Sequence, residues 1–406
     1  MKKISIIALI LVIAMSLTAC VNDEQKLFNA FSKMQDISSM DSSSEISFNL
    51  NAEGFPEDQQ ANIEQVMALI NMSKLTLKQR MVQNEDKTVA KAKVDMNLNV
   101  QGLINEDISI WVDTDMSGDS PEIFEVIKIP AMLMGFITPD PAKEYLVYDM
   151  SELMNSTSEE INFNELMEWS KELQPKMEEY FKDMVEKFKP GFEIVKEKEK
   201  RIVDGKNLTI YELTIDDAEL KDLIRYTGNY FMDDEDTMEF IKEYMDVVIN
   251  MVNLPEEEKA AAIEEINAEL EKIEKEMPNI KAKFNTFMDT YKDVTILGEK
   301  GIVIEFGINE KGYITHEAGT IDFRIDIGQI AKLLGEEAKG VLNLEINYKS
   351  RAYNINNKVI RVELPKVDEN NSIDVMQMLE AQMTNMNDFM PVETEAEPTL
   401  EAPQLP

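Results

Sequence analysis

The sequence predicts an α+β fold: a large antiparallel sheet curled into a half-barrel, with amphipathic helices packed on its concave face. Three observations predict it. About ten or eleven segments alternate apolar and polar residues with period two, the signature of strands with one covered face. They follow one another through short polar turns, in hairpin order. Between them stand blocks whose apolar residues recur at helical spacing. A sheet of that many strands must curl as it twists, which leaves an apolar groove between sheet and helices.

The first element is a helix, with Leu27, Phe28, Phe31 and Met34 on one stripe. In the strand that follows, Ile46, Phe48, Leu50 and Ala52 alternate with Ser47, Asn49 and Asn51. Pro56 suits the first turn of a helix carrying Ile63, Val66, Met67 and Ile70. Three strands come next. Leu75, Leu77, Gln79 and Met81 share a face of the first, Ala90 to Val100 forms the second, and Ile108, Ile110, Val112 and Thr114 the third. Asn105-Glu106-Asp107 reads as the turn between the last two. The stretch 123–137 is the least polar beyond the N-terminus and reads as a strand and turn, or as the mouth of the groove. A strand over Tyr145–Met150 then leads into a helical zone, Phe163–Phe188, divided at Pro175.

Two strands, Phe192–Val203 and Leu208–Ile215, join through Asp204-Gly205. A helical insertion spans about residues 217–292. Its segment after Pro255 has only a narrow apolar seam, so most of its surface should meet solvent. Strands return over Val294–Ile308, Tyr313–Ile327, Val341–Tyr353 and Lys358–Leu364, with a short helix around Ile330–Leu334. An amphipathic helix over Ile373–Met390 closes the domain, 20–390. The Pro-, Glu- and Thr-rich tail, 391–406, is too polar to pack and reads as disordered.

The chain opens with Lys2 and Lys3, an apolar run from Ile4 to Met15, and then Ser16, Leu17, Thr18, Ala19 and Cys20. A cationic head, a short apolar stretch and small residues at the cut describe a signal peptide over 1–19. The run is too short to span a bilayer. Leu17-Thr18-Ala19-Cys20 resembles the bacterial lipobox, in which the thiol takes a diacylglycerol and becomes the first mature residue. Cys20 is the only cysteine in the chain, so it has no disulfide partner there and acylation is its evident use. The expected address is extracytoplasmic, at the cell membrane, held by acyl chains such as palmitate on Cys20.

This lipobox, the helix Lys26–Met34 leading into strand Ser44–Asn51, the hairpin order, and Leu208–Ile215 running straight into a helix together resemble the LolA/LolB and LppX/LprG superfamily of bacterial envelope proteins. The resemblance implies a half-barrel lidded by helices, with a lipid acyl chain in the gap. It lies in the pattern of elements, so it transfers no functional residue.

Charge excludes one class of partner. The formal net charge is −37, and removal of Lys2 and Lys3 with the signal leaves −39. Nucleic acid needs a basic footprint that is missing here. The same charge disfavours broad contact with anionic headgroups, leaving the membrane attachment to the lipid anchor.

Catalytic signals are few. The single histidine, His316, has no G-x-S-x-G or S-x-x-K beside it and reads as a surface strand residue. Phosphate-loop, dinucleotide and H-E-x-x-H motifs are absent from the sequence. We therefore expect no enzyme and no cofactor. Asp113, Asp115, Ser117, Gly118 and Asp119 reproduce the start of a calcium loop, but its twelfth position, which needs a bidentate Glu, is Phe124. Methionine is abundant, 27 residues in all. Met376, Leu379, Met383, Met386 and Met390 form a stripe that suits an adaptable apolar surface better than copper(I), since no His or Cys supports it.

The expected function is a non-catalytic lipoprotein that holds a lipid or other hydrophobic ligand in the groove. Met132, Leu133, Met134, Phe136, Met177, Phe181, Met184, Met383 and Met386 are its candidate lining. The competing expectation is an envelope scaffold that binds another protein and no small ligand. If the lipobox is used, Cys20→Ser abolishes incorporation of labelled palmitate and moves the protein from the membrane fraction to the soluble one.

Overall fold

A computed structural model describes residues 23–117, 122–151, 176, 177, 180, 187, 189–251, 254–376 and 378. The signal 1–19, Cys20, most of the predicted helical zone 163–188, the last helix beyond residue 378 and the tail 391–406 lie outside the described residues.

In chain order the elements are α1 (Asp23–Gln35), β1 (Ser39–Glu53), α2 (Glu57–Asn71), β2 (Ser73–Gln83), β3 (Val89–Val100), β4 (Ile104–Asp115), β5 (Glu122–Lys128), α3 (Ala131–Ile137) and β6 (Tyr145–Asp149). Then follow β7 (Val195–Val203), β8 (Lys206–Ile215), α4 (Asp217–Asp233), α5 (Glu235–Met251), α6 (Glu256–Tyr291), β9 (Leu297–Asn309), β10 (Ile314–Asp326), α7 (Ile327–Leu334), β11 (Val341–Tyr353) and β12 (Ser372–Asp374). The fold is mixed α+β.

All twelve strands belong to one sheet, ordered β12-β6-β5-β4-β3-β2-β1-β11-β10-β9-β8-β7. Its edges, β12 and β7, do not pair with each other, so the sheet is open. Neighbours are antiparallel except β12, which runs parallel to β6. The chain builds one meander outward from β1 to β6, resumes at the far edge with β7, and returns inward to β11. The meanders meet where β1 pairs β11, from Asp41 opposite Tyr353 to Glu53 opposite Val341.

Three expectations need correction. The turn between β3 and β4 falls at Gln101–Leu103, and Asn105–Asp107 already belong to β4. Gly102, at φ 80°, supplies the left-handed backbone that this turn requires. Lys358–Leu364 joins no ladder: its alternation arises because Val362 and Leu364 pack onto Trp111, Val126 and Val147 while their neighbours face outward. Ile373 begins no helix, because Ser372–Asp374 first form β12.

Register sorts the side chains onto two faces. One row of partners runs Ile304, Gly319, Tyr348, Ile46, Leu75, Leu98, and the next Ile302, Ile321, Ile346, Phe48. This apolar face carries the main core at its β7–β10 end, where Leu27 and Ala30 of α1 and Leu220 and Leu223 of α4 bury Leu213, Ile215, Ile302 and Phe306. Asp216 caps α4 in a reciprocal pair with Glu219. The Asp217 carboxylate accepts from the backbone of Ile296 and Leu297, fixing α4 to the start of β9. At the other end Met134 of α3 and Val375 cover Leu146.

The opposite face is polar and cross-linked. Arg201 donates to both Glu305 oxygens at 2.8 and 3.3 Å, and Lys198 adds a third contact at 3.0 Å. These bonds, chiefly that from Arg201, hold the Glu305 carboxyl down at about 2. A depressed carboxyl stabilises the fold above its unfolded value and loses that contribution as pH falls through the folded one. Glu305→Gln should therefore cost about 1–2 kcal/mol near neutral pH, after allowance for the half-exposed cations. In urea denaturation the gap between parent and variant should narrow from about pH 5 and close only as pH falls through about 2.

Candidate functional site

Between the cores beside α1 and α4 and beside α3, the apolar face keeps part of its contact with solvent: Ile46, Phe48, Leu50, Leu75, Leu77, Met96, Ile108 and Ile110 are half-buried, and Leu98 is exposed.

 
These positions are the apolar-face half of four alternating strands, β1 to β4, and none of them reaches the burial of the core beside α1 and α4. The edge of β1 beyond Ser47 has no strand partner on its β2 side. There the Asn71 side chain accepts from the Leu50 N–H and donates to the Leu50 carbonyl, standing in for a strand.

A cavity of about 260 Å³ opens in this face beneath α1, with Phe31, Met34 and Met40 as its apolar walls. Its floor is polar. Glu317, Ser350 and Ser44 lie in one register row, and Ser42 and Gln79 pair in the next. The Ser44 hydroxyl bonds Ser350 at 2.9 Å. The Glu317 carboxyl has no hydrogen-bond or ion-pair partner among the described residues, and burial alone pushes it up from its ordinary value. Burial, and then the neighbouring Glu317, push the Tyr348 phenol up as well.

Tyr348 reaches this position because its partner on β10 is Gly319. A β-carbon at Gly319 would stand 2.7 Å from the tyrosine ring and 3.0 Å from the Val303 carbonyl oxygen. From Ser44 the row continues outward through Leu77, Met96 and Ile108. Polar floor and apolar track are therefore contiguous.

The candidate lining read from the sequence is distributed differently. Met132, Leu133 and Phe136 of α3 are exposed, Phe136 by 84%, while Met134 turns inward onto Leu146 and Val375. Met177 is half-buried. Its neighbours face α5: Lys176 pairs Glu243, and Tyr180 stacks on Phe240 with ring centres 4.9 Å apart. Phe181, Met184, Met383 and Met386 lie outside the described residues, as does Asp119.

The other acidic-loop candidates have local partners. Asp113 pairs Lys91 at 2.6 Å, and Asp115 accepts from the backbone and hydroxyl of Ser117. Among the described residues no three His, Cys, Asp or Glu side chains converge as a metal site would require. His316 belongs by register to the polar face, beside Arg351 and Gly307. Its buried Nδ1 has no partner among the described residues, and burial holds the imidazole below its ordinary value.

Sequence reasoning did not single out Glu317, Ser44 or Ser350. A signal was present: each is polar yet in phase with apolar neighbours, Ser44 with Ile46 and Glu317 with Ile321 and Phe323. Comparison with protein-family models and with curated proteins returns no match to this chain.

The contact between Gly319 and Tyr348 generates a direct check. Gly319→Ala forces the ring or strand β9 to move and should cost about 1–3 kcal/mol, read from the midpoint of urea unfolding.

Proposed function

We propose that the protein is a non-catalytic lipoprotein, anchored outside the cytoplasm through acylated Cys20, that binds a lipid or similar hydrophobic molecule against the apolar face of its sheet. In this reading the sheet curls into a half-barrel, and the helices form its lid. One observation carries the proposal: the central rows through Ile46, Phe48 and Leu77 are apolar and half-buried, between two ends where helices cover the same face. A soluble protein gains by covering such a surface, and hydrocarbon is the covering that fits it. Burial of each methylene contributes about 0.8 kcal/mol, so ten of them supply about 8 kcal/mol before the costs of association. The lipobox and the hairpin order, which resemble the LolA/LolB and LppX/LprG superfamily, point the same way.

A second reading rests on a different surface. Ile241 and Tyr244 of α5 and Ile273, Ile280 and Phe287 of α6 are exposed. An envelope partner that covered them would make the protein a scaffold.

The test is native mass spectrometry of the chain carrying Cys20→Ser, purified without detergent. Lipid should co-purify, and Leu77→Lys or Ile346→Lys should reduce its occupancy at least about tenfold while circular dichroism stays unchanged. A protein that carries no lipid and takes up no fluorescent fatty acid overturns the proposal. Recovery of one stoichiometric protein partner through α5 and α6, without lipid, supports the scaffold instead.

A further inference from the structure

Most charged groups on the sheet belong to its polar face, where cation and anion pair in ladders such as Lys300 with Glu345 and Lys74 with Glu45. Glu317 breaks this pattern. It stands on the apolar face, facing a cavity whose lining includes no lysine or arginine. The nearby cations are already engaged: Lys33 donates to the Lys311 carbonyl and lies over the Tyr313 ring, and Arg351 pairs Asp204. His316, the one imidazole at the rim, belongs by register to the other face. A half-buried acid without a partner among the described residues costs stability that a leucine there would not.

Building on the binding face described above, we propose that this cavity receives the ammonium head of a cationic amphiphile, with Glu317 as its counter-charge. An ammonium presents three donors and no acceptor. The cavity offers the matching set of acceptors: the Glu317 carboxylate, the hydroxyls of Ser42, Ser44 and Ser350, and the Gln79 amide oxygen. An anionic head would meet a carboxyl and no cation. The arriving charge also favours the ionised Glu317, the form that burial disfavours, and the resulting pair is strong where water is scarce.

Size divides the ligand in two. At about 260 Å³ the cavity holds a head group and no long chain. The chain then follows the row through Leu77, Met96 and Ile108, which advances about 4.8 Å with each strand. The net charge of −37 adds a long-range attraction for cations.

Isothermal titration of the Cys20→Ser chain with dodecylammonium, dodecanol and dodecanoate, each below its aggregation threshold, tests this. Salt at about 0.3 M suppresses diffuse attraction to the acidic surface. Dodecylammonium should bind at least about tenfold more tightly than the other two. Glu317→Gln should remove that preference and leave dodecanol unchanged, whereas Glu57→Gln, on an exposed helix, should change nothing. Glu317→Leu should raise the melting temperature while losing the preference, a pairing of effects that loss of folding cannot produce. If dodecanol binds but dodecylammonium gains nothing over it, or Glu317→Gln keeps the gain, the ammonium assignment fails and the apolar face survives. If none of the three binds, both fail together.

Discussion

The pairing of β1 with β11 is the constraint on which the rest of the sheet depends. It is the seam between two meanders built from opposite ends of the chain, and every row that crosses the middle of the sheet passes through it. Side chains alternate with period two, so a slip of one residue would turn Ile46, Phe48 and Leu50 to the charged side. Asp41 guards the register. Its buried carboxylate accepts two bonds from Arg80 on β2 and one, at 2.7 Å, from Asn354 just beyond β11. Arg80 holds Asp41 below its ordinary value, so the clamp is charged through the neutral range. Close by, the Asn356 side chain accepts from the Ser38 N–H at 2.7 Å. The seam joins residues some three hundred positions apart, which makes it the slowest contact to find. Until β11 arrives, one side of β1 is an unpaired edge.

Stability and openness occupy different parts of the same surface. Leu213, Leu223 and Leu27 are wholly buried where α1 and α4 meet β7 to β9. Each contributes on the order of 2 kcal/mol by burial. The middle rows contribute less, since their side chains keep part of their contact with solvent. The polar face offsets some of that shortfall: partly buried networks such as Arg201–Glu305–Lys198 tie β7 to β9 without enlarging the core. The extended segment through Val362 and Leu364 covers that face only over β4 to β6.

Much of this architecture is legible in the chain. Alternation marks ten of the strands closely, β5 stands out only as an apolar stretch, and β11 has the bounds that the sequence suggests, Val341–Tyr353. Local pattern reports whether one face is covered, however, and says nothing of who the neighbour is. That is why Lys358–Leu364 reads as a strand, and why neither the β1–β11 seam nor the passage from β6 to the far edge can be seen in advance. β12 is three residues long, below the length at which alternation has meaning. The site was less legible than the fold. Methionine and phenylalanine draw attention because they are large and apolar, yet in α3 they divide between the surface and a small satellite cluster. The informative residues were the small and polar ones standing where an apolar residue was due.

That last contrast bears on what the cavity is for. A sheet selected for stability alone would continue its apolar rows under α1, where Phe31 already packs edge-on against Phe306 at 5.3 Å. Serines at 42, 44 and 350 and an acid at 317 forgo that gain at adjacent positions in two rows. Ser44 and Ser350 satisfy each other, and a structural account suffices for them. It does not suffice for Glu317, which bonds to neither and whose charged form burial disfavours. Such a group weakens the fold and completes no network among the described residues, and the proposed ammonium head is what would complete it.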